Sequence, residues 1–483
     1  MDAKVKTLAS HILAQSGDID FYAGRIQSSH GGRGGIMNTS FLAHELSVSV
    51  SPDSLMLPDD SRYESARRVW NGMTDKRPAA IIRVNNIEDI RSAINSARRH
   101  QSIVAVRGGG HSLPGLSTCD GGVMIDLSNL DEVVIDPVSA TAIVSGGTLL
   151  GGLDKAGIAH GLVVPAGVVS HTGAAGLTLG GGMGWLSRRF GLTIDHLLKV
   201  EIVTANGDIV EASANTEPEL FWGLRGGGGN FGIATKFHFN MRELGSVTTG
   251  TWAYDLSRSH NALRQFADYA QSAPRELTTA FNLTDKGLSV SAFHSGAADD
   301  GMTLVSPFGS LAGTGSGVCG LSDFIAFQSR SDEHARWGRR YYAKGGYLAE
   351  LSDEVIDCMT AAVRSSPSPD SEIYVLQLGG AISDISEGAT AYTGRAAQYY
   401  WIVQPIWDDP KLDSVCLTWG RSIAAQLVTL SMEGNYVNEQ ADVGGDVAAQ
   451  AYGAGKFDRL QRLKARFDPG NLFRLNQNIP PKF

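Results

Sequence analysis

An apolar run at 103–106 stops abruptly at Arg107-Gly108-Gly109-Gly110-His111-Ser112, and a second apolar run begins at Gly122. Three glycines between two expected strands let the backbone turn at positive φ and approach a bulky anionic ligand closely. Their clustered N–H groups can cradle a diphosphate, with Arg107 near one end. His111 stands at the loop exit, where a nitrogen nucleophile touches whatever the loop holds. A second glycine-rich run, VVPAGVVSHTGAAGLTLGGGMGW at 163–185, carries His171. An imidazole titrates ordinarily near about 6.5, which suits acid–base work at neutral pH. Trp185 closes that run and offers a flat face to a ring system.

These residues need elements to hold them. The stretch AAIIRV at 79–84 reads as a strand, Asn86 as the cap of a helix over 87–100, and SIVAV at 102–106 as the strand that delivers the first loop. The β-α-β unit is a nucleotide-binding half-domain in the general sense. It is not a Rossmann unit, because the glycine loop does not open directly into a helix. SRYESARRVWNG at 61–72 reads as a short amphipathic helix. Two strands and a turn at Gly147-Thr148 follow the second apolar run, then a helix to about 157, and a hairpin around Asn206-Gly207. A short helix is expected over 217–225. Strands are expected at 247–254, 372–378 and 399–406, and helices at 262–272, 351–364 and 457–467. The small-residue stretch 295–320 reads as loop, as does 28–35, after an expected helix at 5–15.

Glycine is the compositional outlier, 58 of 483 residues against a usual level of about 7%. Much of the excess lies between 108 and 232, which marks a ligand-wrapping region. A chain of 483 residues calls for two or three domains. The net charge of −9 and a pI near 5.7 argue against nucleic acid or an anionic membrane as partner. Cys119, Cys319, Cys358 and Cys416 show no CxxC spacing, so neither a zinc site nor a redox dithiol is indicated, and no metal site is expected. So few cysteines suggest a reducing compartment. With no long apolar run and no signal-peptide pattern, a cytoplasmic location without membrane contact is expected.

Further motifs follow the first loop in one order: PAGVVSHTG at 165–173, LGGGMGW at 179–185, LFWGLRGGGGNFG at 220–232 and FRLNQNIPP at 473–481. With R-x-G-G-H-S at 107–112 they resemble the vanillyl-alcohol-oxidase type of FAD-binding flavoproteins and, within it, the berberine-bridge-enzyme-like oxidases. The resemblance runs from about residue 63 to the C-terminus. It is closest to bacterial members that tailor natural products, such as the enterocin-pathway flavoprotein. It implies an α+β fold: a two-part FAD-binding domain, then an α+β substrate domain whose antiparallel sheet lies over the flavin. The expected divisions are an N-terminal extension of unknown role at 1–61, the FAD-binding domain at 62–245, the substrate domain at 246–435 and a C-terminal segment at 436–483 that returns to the FAD domain.

The resemblance also implies the cofactor and its contacts. FAD would be bound covalently through His111, with Arg107, Gly108, Gly109, Gly110 and Ser112 around it. Pro165, Gly167, Val168 and Gly173 would meet the cofactor from the second loop. Gly176, Gly180, Gly182, Gly184 and Trp185 would extend that wall. Gly228, Gly232 and Ile233 would supply backbone contacts, and Asn476 and Asn478 would come from the tail. Many relatives add a cysteinyl link at the position of Val169, which has no nucleophile, so a single link is expected.

Family precedent places a base on the substrate sheet or in a YxNY segment. Here that segment is Asn435-Tyr436-Val437-Asn438-Glu439, with Glu439 replacing the second tyrosine. A phenol must be lowered from about 10 to serve as base, whereas a partly buried Glu can be raised toward about 7. Tyr436, Glu439 and His171 are therefore catalytic candidates. Tyr399 and Tyr400 lie on an expected strand, and alternation lets only one of them face the pocket. Tyr374 and Asn282 fall where the enterocin enzyme has a pocket glutamate and a pocket tyrosine. The implied reaction moves a hydride from a small molecule to flavin N5, with reoxidation by O2 to H2O2. Gly173, Ala174 and Ala175 are small enough to admit O2 beside the flavin. A polyketide-like alcohol or phenol of secondary metabolism is the expected substrate. A sugar or hydroxynicotine-type alkaloid oxidase, or a dehydrogenase using another acceptor, is the alternative.

Overall fold

The computed structural model describes residues 34–483. The helix expected at 5–15 and most of the loop expected at 28–35 lie outside the described residues. Strands Ala80–Arg83, Val123–Asp126 and Val104–Arg107 run parallel, with Val123–Asp126 in the middle. They are buried on nearly every side, which suits continuous Val, Ile and Ala runs in a covered parallel sheet. The Asn86 side chain accepts from the Asp89 N–H and starts helix Ile87–Arg99. Helix Gly34–Ser49 packs on it, so that Leu42, Leu46 and Val50 share a core with Ile90, Ile94 and Ala97. Leu55–Met56 then pairs with Ala80–Arg83. Residues 42–56, read from sequence as part of an extension, are built into the first sheet and its core.

A five-stranded antiparallel sheet follows, in the order Val133–Asp136, Thr141–Ser145, Ile233–Asn240, Leu197–Val203, Ile209–Ser213. Its last hairpin turns at Asn206-Gly207, where Gly207 has φ of 82°, as that dipeptide demands.

The third sheet has seven antiparallel strands in the order Ser316–Ser322, Val247–Tyr254, Gly287–His294, Leu277–Thr284, Glu372–Gln377, Tyr399–Gln404, Lys344–Leu348. The pleat divides its side chains between two cores. Tyr399, Trp401 and Val403 pack with Ile373, Val375, Phe281 and Val290 under helices Ser259–Gln271, Asp353–Ala362 and Asp413–Val428. Tyr400, Ile402, Leu376 and Ala280 face the other way, toward the first two sheets.

Two local expectations give way to tertiary context. Within 295–320 the chain forms helix Ala298–Val305 and the edge strand Ser316–Ser322. That strand, poor in β-formers, is held by in-register pairing with Val247–Tyr254, which overrides its composition. The amphipathic helix expected at 61–72 shrinks to the single turn Tyr63–Ala66, because the Trp70 N–H leaves to bond the Gly110 carbonyl at 3.0 Å.

The tail is fastened to the glycine-rich 220–232 segment from within. Lys464 and Asp468 form a wholly buried pair at 2.7 Å, and Lys464 Nζ also donates to the carbonyls of Asn230 (2.7 Å) and Phe473 (3.1 Å). Asn230 donates to the Gln477 carbonyl and accepts from the Ile479 N–H. Lys464→Met leaves Asp468 buried and unpaired, so it should lower the free energy of unfolding by about 3 to 5 kcal/mol. A urea titration showing a lower midpoint at unchanged slope is the expected result; an unshifted midpoint would show that the clasp contributes nothing.

Candidate active site

A cavity of about 460 Å³ lies between the cofactor-type glycine segments and the inner face of the seven-stranded sheet. Gly108, Gly109, Gly110, His111 and Ser112 line one wall, Gly167, Val168, Val169, Gly173, Gly176 and Trp185 a second, and Gly228, Gly232, Ile233 and Asn476 a third. The sheet contributes Asn282, Tyr374 and Tyr400, and the tail Tyr436 and Glu439. Tyr400, not Tyr399, is the member of its pair that faces the cavity.

His111 is fixed by rings and by one hydrogen bond. Its imidazole stacks on Trp70 with centroids 4.8 Å apart, and Trp70 stacks on Tyr341 at 3.8 Å. His111 Nε2 lies 2.7 Å from His171 Nδ1, and His171 Nε2 lies 3.4 Å from the Asp332 carbonyl. A carbonyl only accepts, so in the neutral pair His171 carries its proton on Nε2 and accepts at Nδ1. His111 therefore donates from Nε2, which leaves its Nδ1 with a free lone pair. Burial, and then the neighbouring His171, push His111 down to about 3, so the lone pair is available at neutral pH. His171 itself does not line the cavity; it orients His111 from behind.

The substrate sheet and the tail bring the acid–base candidates into the same cavity. Tyr436 Oη accepts from the Gly182 N–H (3.1 Å) and from Asn438 Nδ2 (2.9 Å). Both lone pairs are occupied, and burial raises the phenol far above its usual range, so Tyr436 can donate a proton but not take one. Tyr400 sits edge-on to Tyr436 at 5.9 Å and beside Glu439, and burial, then Glu439, raises it as well. Glu439 differs. Burial among these rings lifts its carboxyl to about 7, with Tyr400 acting in the opposite direction. Of Tyr400, Tyr436 and Glu439, only the carboxyl is poised to exchange a proton near neutrality.

Several sequence assignments are corrected by the geometry. Arg107 does not reach the cavity: its guanidinium bonds both oxygens of buried Asp126, at 3.1 and 2.6 Å, and the carbonyls of Ala66 and Arg68. It locks two parallel strands and the 63–68 turn together. Pro165, Gly180, Gly182, Gly184 and Asn478 lie behind the wall. The Pro165 carbonyl accepts from the Thr193 hydroxyl. A Cβ at Gly182 would meet Thr193 Oγ1 at 2.1 Å, one at Gly184 the Ala166 carbonyl at 2.0 Å, and one at Gly180 the Asn438 amide at 2.1 Å. These glycines serve protein packing. At Gly176, by contrast, nothing lies within 4 Å of an added Cβ. Sequence reasoning missed Trp70, Tyr341, Asp332 and Arg330. Trp70 stood in an expected helix, and the others belong to the charge-rich stretch after 320 that matches no motif.

Comparison with known proteins agrees with this site. The FAD binding domain model matches residues 78–213 and the berberine and berberine-like model residues 435–480. An FAD-linked oxidoreductase of Dictyostelium discoideum is 30% identical over 422 residues, covering 86% of this chain and 92% of that protein. (R)-6-hydroxynicotine oxidase of Paenarthrobacter nicotinovorans is 28% identical, covering 92% and 99%. The solved structure of Physcomitrella patens BBE-like 1 superposes with a TM-score of 0.85 at 25% identity, covering 92% and 99%. The fold and cavity are those of an FAD-dependent oxidoreductase. The chain belongs to the berberine-bridge-enzyme-like FAD-linked oxidases, and FAD is its cofactor. The residues fit FAD: an open groove beside Gly176, two glycine turns and an uncommitted His111 Nδ1. Among the described residues no helix is long and apolar enough to cross a membrane, and no cluster of three or more His, Cys, Asp or Glu is placed to hold a metal.

His171→Ala should leave the His111 Nε2–H without its acceptor and weaken covalent capture of FAD. Acid precipitation should then release flavin into the supernatant that wild type keeps in the pellet; unchanged retention would show that His171 plays no part.

Proposed function

We propose that this protein is an oxidase that removes a hydride from a C–H bond of a small-molecule natural product, with O2 as electron acceptor. The observation that carries this reading is Glu439, a carboxyl raised to about 7 in the cavity that His111 also lines. When bound, FAD supplies the hydride acceptor at N5 and the route for two electrons to O2. His111 Nδ1 is the atom that would hold it covalently, and Val169, which also lines the cavity, offers no second link. Glu439, ionised, takes the proton from the substrate's hydroxyl or amine as the hydride departs. Tyr436 donates its O–H to the substrate heteroatom, because its own oxygen is already satisfied. Tyr400, Leu376 and Ile402 shield the cavity from water. A polyketide-like alcohol or phenol of secondary metabolism suits an aromatic-walled cavity. A hydroxynicotine-type alkaloid is the second reading, favoured by the similarity to (R)-6-hydroxynicotine oxidase along nearly its whole length.

The covalent assignment is tested by colour. Acid-precipitated protein should stay yellow, and His111→Ala should lose the colour to the supernatant; a wild type that releases all its flavin would overturn the covalent link.

The base is tested by pH. Glu439 acts only when ionised, so kcat/KM should rise with pH and level off above about 7. Glu439→Gln should lower kcat by about 10²-fold or more and abolish that limb. A limb that survives in the variant assigns the base elsewhere.

A further inference from the structure

Arg330 stands at the cavity wall away from Glu439, and it has no carboxylate partner among the described residues. Its guanidinium carbon lies over the Phe327 ring at 3.8 Å and over the Trp185 ring at 4.8 Å. Among the described residues its one hydrogen bond is a long one, from Nη1 to Thr251 Oγ1 at 3.3 Å. A guanidinium has five N–H donors in a fixed plane, so most of them have nothing to bond to in the protein. The other charges at this end are already matched: Glu372 faces His334 at 3.6 Å, and Arg107 is committed to Asp126. The side chain is exposed and lines the cavity, so a ligand entering from solvent can reach its free donors. Partial desolvation by the surrounding rings lowers Arg330 to about 10, with Tyr374 acting in the opposite direction. Two nearby polar atoms of the sheet, Asn282 Oδ1 and Tyr374 Oη, are buried without hydrogen-bond partners among the described residues.

The geometry points to a carboxylate-bearing substrate, whose acid group pairs with Arg330 in the fork arrangement while the carbon to be oxidised lies toward Glu439. This deepens the oxidase reading and rests on it. Planar, stacked guanidinium groups are suited to two-point recognition of carboxylates. Tyr374 stands between the two ends, near enough to both that Arg330 and Glu439 each act on its phenol, after burial. Its hydroxyl and the Asn282 amide can contact the substrate's middle. One cross-strand row, Thr251, Ser291, Ala280, Leu376 and Tyr400, runs from the Arg330 contact to the Glu439 end. The rings of Phe327 and Trp185 hold the guanidinium in place without supplying charge, so its attraction is left for the ligand.

The holoenzyme is titrated with benzoate and phenylacetate, and in parallel with benzamide and phenylacetamide, by flavin difference spectra and calorimetry. The acids should bind at least about ten-fold more tightly than their amides. Arg330→Gln should erase that preference while leaving amide affinity unchanged, and Arg330→Lys should keep part of it. Acids no tighter than amides, no acid binding at millimolar concentration, or a preference that survives in Arg330→Gln would each overturn the inference. The wild-type comparison needs no variant to fold. A protein with acid-stable flavin but no acid preference loses this inference alone; one without flavin loses the oxidase reading.

Discussion

Two stretches of backbone touch at Gly109 and Gly173, and the site depends on that contact. A Cβ on Gly109 would fall 2.1 Å from the Gly173 nitrogen, and one on Gly173 would fall 2.3 Å from the Gly109 nitrogen. No side chain larger than hydrogen fits on either partner. The contact brings the His111 turn, which requires positive φ at Gly110, against the loop that carries His171. The 2.7 Å hydrogen bond between the imidazoles follows from it, as does the tautomer that leaves His111 Nδ1 free. Glycine here is chosen for proximity between two chain segments first, and for approach to a ligand second.

Burial sorts the titratable groups of the cavity into roles. The same desolvation that makes Tyr436 and Tyr400 harder to ionise makes Glu439 easier to protonate, and only the carboxyl is thereby brought near neutral pH. A cavity walled by tyrosines thus selects its acid–base group through the starting pKa of each type. The hydrogen-bond pattern points the same way, since Tyr436 already receives two N–H groups.

Much of the scaffold was legible in the sequence. The Asn86 cap, the Asn206-Gly207 hairpin and the order of glycine motifs are local signals, and each survives in the fold. The alternation rule placed one tyrosine of the 399–400 pair in the cavity, and Tyr400 is that residue. What was not legible depends on distant partners. Arg107 beside a glycine turn reads as an anion ligand until Asp126, on the adjacent strand, is seen to hold its guanidinium with both carboxylate oxygens. Gly180, Gly182 and Gly184 read as ligand contacts until Thr193, Ala166 and Asn438 are found pressed against them. Trp70 and Arg330 carry no motif at all; their place is set by chain segments far away in sequence, which no window of residues encodes.

The seven-stranded sheet separates two populations of side chains that alternate along each strand. Tyr399, Trp401 and Val403 belong to the outer core, while Tyr400, Ile402 and Gln404 face the cavity. Every second residue on these strands can therefore change without disturbing the helices packed behind it, provided the new side chain fits the lumen. A lineage built on this frame can explore new substrates in single steps, because its recognition surface and its structural interior are written on different letters of the same strands.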